Sequence, residues 1–547
     1  MNNSSKLRTV FVFFLFCSLF ATTLIHLYGL QIRQHTFFAD LGKKQYYLTL
    51  TTYPPRALIY DRNGVPLALN KESISAFIMP HQIKDQEKLT HFLETYFPTA
   101  LTRLEEKKHA YFVYVKRRLT PEEQQLIEKE GIEDIHFLKE PSRFYPVAIA
   151  GSLTGITNTD NKGLFGIELL YNAQLAGTPT TTILEKDARS GVFYFSKQTL
   201  EEGVQGTPVT LTIDGNLQFL VHEELMTTVK KYQVKEGAAL IMDPETGDIL
   251  ALASFPTFDP NNTQELDLAT TKNTAITESY EFGSAMKALF ALAALEEKVT
   301  TADELIDCHN TKTAYVEGRR VNTVPSSCAG VITFSEVIQK SNNIGVAQVA
   351  KRCGPVLYDH YKKMGFGEKT NIEFPGEQSG FITHPSKWSK QSVISLSYGY
   401  EVRTTLLRLA TAFCLFANDG HLIQPHLVLT DENEKKKKGE KIYSTESINT
   451  MRTILEETAK EGSARYANVK GYLTMGKTST ANLLENGQYN PHKNLYGFIG
   501  IVEKGPYKRV IACFVKESPR HNLYAATVAA PLFERIAEKM LLHDKIL

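Results

Sequence analysis

The 547-residue sequence predicts an α+β protein in three parts: one N-terminal transmembrane helix, an elongated mixed α/β pedestal, and a larger domain with a mainly antiparallel sheet flanked by helices. Three observations carry this. "TVFVFFLFCSLFATTLIHLYGL", residues 9–30, contains no Asp, Glu, Lys or Arg. From about 70 to 200, short strands alternate with charged helices such as "TPEEQQLIEKEG". From 207 on comes a strand, a long amphipathic helix, a strand pair and a run of helices. The expected segments are a cytoplasmic tail (1–8), a signal-anchor helix (9–31), the pedestal (32–205) and the larger domain (206–547).

The apolar run is long enough to cross a hydrocarbon core of about 30 Å as a helix. Lys6 and Arg8 precede it, which favours a cytoplasmic N-terminus, although Arg33, Lys43 and Lys44 beyond it weaken the asymmetry. A cleaved signal peptide is the alternative. The stretch is too long for one and lacks a clear small-residue cleavage site. About 500 residues come after the run without a second span, so they belong on the outer side of the cytoplasmic membrane.

In the pedestal, "YLTLTTYPPRALIYDRNGVPLALN" reads as strands broken by Pro54-Pro55 and by the Asn63-Gly64 turn. Gly131 closes the helix of "TPEEQQLIEKEG". No reactive cluster stands out here. The larger domain opens with "GTPVTLTIDGNLQFLVHEELMTTVKKYQV", a strand and then a helix. "EGAALIMDPETGDILALASFP" comes next as two strands joined through Pro244-Glu245-Thr246-Gly247. The charge block "DENEKKKKGEK" (431–441) reads as a solvated loop.

Hydrophobic (42%) and charged (22%) fractions are those of a folded globular chain, and a net charge of +1 gives no reason to expect nucleic acid as a partner. The six cysteines show no zinc-type spacing, and nothing points to a metal or a cofactor. Cys308 and Cys328 flank a hairpin-like segment and could pair in an oxidising compartment, whereas Cys17, Cys353, Cys414 and Cys513 sit among apolar residues as packing groups.

Chemistry concentrates in three short motifs. "EFGSAMKALFALAALEE" holds the only Ser-x-x-Lys of the chain, Ser284 to Lys287, at the head of an apolar helix. Three residues apart, hydroxyl and amine share one helix face. The helix start supplies positive dipole and free N–H groups, and burial lowers the lysine pKa so that a neutral amine can take the serine proton. "FSEVIQKSNNIGVAQVAKRCG" reads as two helical pieces with Ser341-Asn342-Asn343 between them. Only at such a break can Ser341 and Asn343 point into one cleft; a plain polar turn is the alternative. Ser447-Ile448-Asn449 has the same spacing and reads better as a helix start.

The third motif, Lys477-Thr478-Ser479-Thr480, has two readings. Gly471, Gly476, Lys477 and Thr478 match a phosphate-binding loop, but that loop should follow an apolar strand and open into a helix. Here a polar segment precedes it, "YLTM" is itself strand-like, and the Asn486-Gly487 turn comes soon after. The other reading is an edge strand with Lys477 and Ser479 on one face and Thr478 and Thr480 on the other. Such a strand can bind an extended peptide, with the lysine facing a carboxylate.

The order Ser-x-x-Lys, Ser-x-Asn, Lys-Thr is the set found in penicillin-binding proteins and serine β-lactamases. The sequence resembles a class B penicillin-binding protein, a peptidoglycan D,D-transpeptidase. The likeness spans most of the chain, through "RALIYDRNGVPLA", "RFYPVAIAGSLTGITNTDNKGLFGIELLYNAQLAG", "VTLTIDGNLQ", "ALIMDPETGDILALASFPTFDPNN" and "LSYGYEVRTTLLRLATAFCLFANDG". Its "SYGY" segment and short outer loops look closer to the septal, cell-division type than to the elongation type. The resemblance implies a dimerisation-like pedestal and a penicillin-binding transpeptidase domain. It further implies that Ser284 attacks the penultimate D-Ala of a stem peptide, Lys287 is general base, and Ser341 and Asn343 relay protons and position. Lys477 and Thr478 would bind the terminal carboxylate, with Ser284 and Thr480 N–H groups as oxyanion hole. The partners implied are stem peptides ending in D-Ala-D-Ala, amine acceptors, β-lactams, a membrane glycosyltransferase and divisome proteins.

Two departures stand out: Ala285-Met286 where the family usually has a threonine, and Ser479 where the motif has glycine. Serine there is expected to narrow the cleft or alter β-lactam affinity without abolishing catalysis. It also keeps open a catalytically weak penicillin-binding scaffold or sensor. A β-lactamase is disfavoured because a hydrolase has no use for the pedestal and no deacylating glutamate is identifiable.

Overall fold

The computed structural model describes residues 3–108, 110, 112–186, 193–263, 266–429 and 439–546. Most of the 431–441 charge block therefore lies outside the described residues. The chain forms two compact units, Met1–Arg56 with Ala176–Gly206, and Ala57–Leu175 with Thr207–Leu547.

The first unit begins with helix α1 (Asn3–Tyr28), continued by a π-helical turn over Gly29–Arg33 and a helix over His35–Tyr46. Within Lys6–Arg33 an 18-residue window reaches a mean hydropathy of 2.3 and none of it is buried; among the described residues this is the one helix long and apolar enough to cross a membrane. Strand Tyr47–Thr52 then pairs antiparallel with Thr180–Lys186, which pairs with Phe193–Glu201.

In the second unit, Pro66–Ile78 is the long strand to which Ile59–Tyr60, Val113–Lys116 and Ile135–Phe144 all pair antiparallel. The helix Pro121–Glu130 has the ends its sequence specifies: a Thr120–Glu123 capping box at the start and Gly131 in the left-handed region at the end. Parallel pairing of Ile59–Tyr60 with Val209–Thr210 ties the pedestal segment to the start of the larger domain. Asp61 Oδ2 also accepts the Gly215 N–H at 3.0 Å. Within "RFYPVAIAG…GIE", Arg143 Nε donates to Glu168 Oε1 at 2.6 Å, with side chains 1% and 0% exposed. Removing one partner of so dry a pair strands the other charge. Glu168→Ala is expected to destabilise this unit by roughly 3–5 kcal/mol, read as a fall in the thermal midpoint.

The centre of the unit is a five-stranded antiparallel sheet. Its strands are β1 (Glu236–Met242), β2 (Ile249–Phe255), β3 (Leu473–Glu485), β4 (Gln488–Lys504) and β5 (Tyr507–Lys516), in the order β2-β1-β5-β4-β3. The β1–β2 turn uses Gly247 at φ +81°. Both faces are covered, so β1 reads as a continuous apolar run. Ala238, Leu240 and Met242 join one core, and Ala239 and Ile241 the other. Helix α3 (Met286–Glu296) lies in the first core; α2 (Gly215–Tyr232) and α7 (Ala525–His543) cover the second. Three further helices bear on the site: α4 (Phe334–Gln339), α5 (Asn343–Cys353) and α6 (Thr445–Lys460). Ser447 and Asn449 belong to the first turns of α6, capped by Ser444.

Cys308 and Cys328 are both free thiols, so the pairing that their spacing allowed is not made. Cys308 is buried, which pushes its thiol up to about 11, and Cys328 Sγ sits 3.8 Å from Val324 O.

Candidate active site

β3 is an edge strand, paired only to β4. Gly476, Lys477 and Thr478 are therefore mid-strand residues, opposite Gly500, Ile499 and Phe498, and not a phosphate-binding turn. Strand alternation separates their side chains. Lys477 and Ser479 point to the helices of the first core. Thr480 Oγ1 accepts the Ala525 N–H at the start of α7 at 3.1 Å, and Thr478 Oγ1 donates to Ser463 Oγ at 3.4 Å.

Ser284 lies in a 3-10 turn, Gly283–Ala285, that runs into α3. It is partly exposed, whereas Met286 to Ala294 are all buried. The turn is pressed against β3. Gly283 has φ +50°, and a Cβ there would come 3.1 Å from Thr480 O. A Cβ on Gly399 of the "SYGY" segment would come 2.1 Å from Gly283 O, so glycine is required there. Because Thr480 O points at this turn, its N–H lies on the same open edge, as N–H and C=O of one strand residue do.

Lys287, the second residue of α3 and three residues beyond Ser284, is wholly buried. Its Nζ meets Ser341 O at 2.7 Å, Ser341 Oγ at 3.1 Å and Asn343 Oδ1 at 2.5 Å. Lys477, equally buried, reaches the same Ser341 Oγ at 2.9 Å. One hydroxyl thus bridges two lysines 190 positions apart in sequence. Ser341 manages this from the α4–α5 break with φ +57°, a left-handed conformation costly for serine. Asn342 holds the break: its Oδ1 accepts the Gly345 N–H at 2.9 Å, capping α5, and its Nδ2 donates to Ser327 O at 2.7 Å. Asn343 Nδ2 donates to Asn322 O at 2.6 Å, leaving its Oδ1 to the amine.

Two amines in one dry pocket cannot both carry charge cheaply. Burial, aided by the Lys477 charge, drives Lys287 far below the usual lysine range; burial alone brings Lys477 down to about 7. The arrangement can hold a neutral amine at Lys287, a proton path through Ser341 Oγ, and a positive group at Lys477 for an anion.

The structure brings Lys287, Asn343 and Lys477 together around Ser341, and it packs the turn that holds Ser284 against β3 at Thr480 and Ala481. Ser479 differs from its expectation. Its hydroxyl does not narrow the cleft; the residue is 1% exposed and donates to the carbonyl of Phe282, two residues before Ser284. Ser479→Ala, which removes only the hydroxyl, is expected to slow acylation of Ser284 about fivefold, equivalent to about 1 kcal/mol for one hydrogen bond. Stopped-flow acylation kinetics with a chromogenic β-lactam measures it. Asn342 was not among the residues singled out by sequence, although Asn three residues before Gly345 is a cap signal. Ser463, brought to Thr478 by the chain fold, left no signal at all.

Residues 237–538 match the family described as penicillin binding protein transpeptidase domain, and residues 51–211 match the one described as penicillin-binding protein dimerisation domain. The chain is 28% identical to "Probable peptidoglycan D,D-transpeptidase PenA" of Neisseria meningitidis, over 97% of this chain and 92% of that protein. It is 27% identical to "Peptidoglycan D,D-transpeptidase FtsI" of Escherichia coli, over 88% and 82%. Among solved structures, a peptidoglycan synthetase from Bifidobacterium adolescentis shares the fold with a TM-score of 0.71 at 22% identity, covering 91% of this chain and 97% of that one.

Proposed function

The chain belongs to the penicillin-binding protein transpeptidase family, and on that premise we propose that it cross-links peptidoglycan stem peptides through an acyl-enzyme on Ser284. The observation that carries the reading is the Ser341 hydroxyl held between the amines of Lys477 and of Lys287, the latter three residues after Ser284.

Neutral Lys287 takes the Ser284 hydroxyl proton as Oγ attacks the carbonyl of the penultimate D-Ala. The oxyanion is met by the N–H groups of Ser284 and Thr480, each worth a few kcal/mol in a preorganised site. Lys477 and Thr478 hold the terminal carboxylate. When the tetrahedral adduct collapses, the C–N bond breaks and the proton on Lys287 reaches the leaving amine through Ser341 Oγ, releasing D-Ala. The amine of a second stem peptide then attacks the ester, and Ser284 regains its proton. β-Lactams acylate Ser284 by the first half of this sequence and stay.

The apolar α1 and the FtsI-type likeness support a single-pass placement in the cytoplasmic membrane, with the N-terminus inside and the catalytic region outside. They also support a septal role beside a membrane glycosyltransferase and divisome proteins. The test is cross-linking of purified lipid-linked peptidoglycan polymer by the full-length protein. Dimeric muropeptides with one D-Ala released per cross-link are expected. Long-lived penicillin labelling without any dimer would instead mark a scaffold or sensor, and rapid penicillin turnover a hydrolase.

A further inference from the structure

A small β-ribbon, Thr313–Val316 paired with Arg319–Asn322, lies between the Ser284 and Ser341 motifs in sequence and supplies no reacting group. Val316 pairs with Arg319, which leaves a two-residue turn at Glu317-Gly318 with φ of +50° and +73°. Two positive values are what a type I′ turn requires, and its twist matches that of the strands it joins. Alternation puts Ala314 and Val316 of one strand and Val321 of the other in the first core. Arg319, two residues before Val321, shares that face and is partly buried.

The ribbon is tied at both ends. At its base, Asn343 Nδ2 donates to Asn322 O at 2.6 Å and the Asn343 N–H to Thr323 Oγ1 at 3.4 Å. The first of these fixes the Asn343 amide with Oδ1 toward Lys287 Nζ. At the turn, Glu317 pairs with Lys351 of α5. Arg319 makes the remaining tie. Its Nη1 donates to Ser395 Oγ and, at 3.2 Å, to Gln391 O, and its guanidinium lies 5.6 Å from the centroid of the Tyr398 ring. No carboxylate pairs with it among the described residues, so these contacts are the ones that place it.

All three partners belong to the short helix Ser392–Ser397 or to the residues flanking it. That helix closes on a glycine: Gly399 has φ +87°, and the Tyr400 N–H donates to Ser395 O at 2.9 Å. Gly399 is the residue packed against Gly283 O, directly before Ser284. One side of the Arg319 contacts therefore leads to the amide that receives Lys287, and the other to the turn that carries the nucleophile.

We propose that Arg319 is a positioning residue for acylation, a strut between the ribbon that orients Asn343 and the helix end that seats the Ser284 turn. The proposal rests on Ser284 and Lys287 acting as set out above. Without the strut both sides stay folded but can shift relative to each other, and displacement of reacting groups is what near-attack geometry tolerates least. A guanidinium suits the task because its planar fork can donate to a helix end and stack on a ring at once, which an ammonium cannot.

Stopped-flow acylation of the full-length protein by a chromogenic β-lactam tests this, with the saturating rate constant and the half-saturation concentration read separately. Arg319→Met is expected to lower the rate constant about tenfold, the worth of one charge-assisted contact. Half-saturation should stay within about twofold of wild type, since the strut acts on the chemical step and not on binding. Arg319→Lys, which keeps the charge and a donor for Ser395, should recover part of the loss. Ser395→Ala should cost about threefold alone and nothing further in Arg319→Met, because the two residues form one strut. The saturating constant belongs to each folded molecule, so loss of folded protein does not imitate the effect. Should Arg319→Met not fold, Ser395→Ala and Arg319→Lys carry the same comparison. A wild-type rate constant in Arg319→Met overturns the strut, and so does a loss confined to half-saturation, which would put Arg319 on the ligand. Losses that simply multiply in the double variant overturn it as well. A wild type that no β-lactam acylates on Ser284 overturns the transpeptidase reading, and the strut with it.

Discussion

Ser284→Ala is expected to lose all covalent labelling by fluorescent penicillin and all cross-linking, while its thermal midpoint stays that of the wild type. Both halves rest on the geometry. Ser284 Oγ is the one hydroxyl at the head of α3, is partly exposed, and makes no hydrogen bond among the described residues. Its removal leaves no buried group unpaired and no cavity, so stability should move by less than about 0.5 kcal/mol. Labelling on a denaturing gel, beside a melting curve of the same preparation, measures both. Labelling that persists in the variant would place the nucleophile elsewhere and sink the proposed mechanism.

Loss of the base should be nearly as severe. Lys287→Met keeps the apolar stem of a side chain that packs inside the core and removes only the amine. Acylation should fall by about 10²–10⁴-fold, the usual worth of a positioned general base, with reversible penicillin binding retained. The wild-type pH profile carries the same information with a definite sign. Lys287 acts when neutral, and its pKa lies far below the lysine norm, so acylation should rise with pH at the acid end as that amine sheds its proton. Lys477 acts when charged, and burial brings it to about 7, so affinity for a carboxylate-bearing donor should decline as pH climbs past neutrality. The limbs belong to a coupled pair that shares Ser341. In Lys477→Met the like charge beside Lys287 is gone. The acid limb should then move to higher pH, toward an ordinary lysine, and the alkaline decline should vanish. An acid limb that stays in place would show that the two amines do not communicate.

Features written in short-range spacing were legible before any fold was known. An uncharged run of helix-spanning length, the capping box and left-handed glycine around Pro121–Glu130, the turn at Gly247 and the apolar strands of the sheet each depend on neighbours within a few residues. Ser284 and Lys287 belong to the same class, because three positions on a helix fix a common face. So does the break at Ser341, since asparagine and serine cap and turn wherever they stand. The order of the motifs then carried the family.

How those pieces meet is settled only in the folded chain. No spacing reveals that Ser341 Oγ sits between amines from α3 and β3, because that contact depends on a strained residue held by Asn342 and on packing of the break against an edge strand. Nor does the sequence show that Ser479 turns inward. A serine in place of glycine suggests a cleft made smaller, but on this face of β3 the hydroxyl finds the Phe282 carbonyl and becomes a brace for the nucleophile turn. The physical reason is common to both. Local geometry arises from torsions and spacing, whereas the state of a polar group depends on which partners the folded chain brings within hydrogen-bond reach and which it uses up.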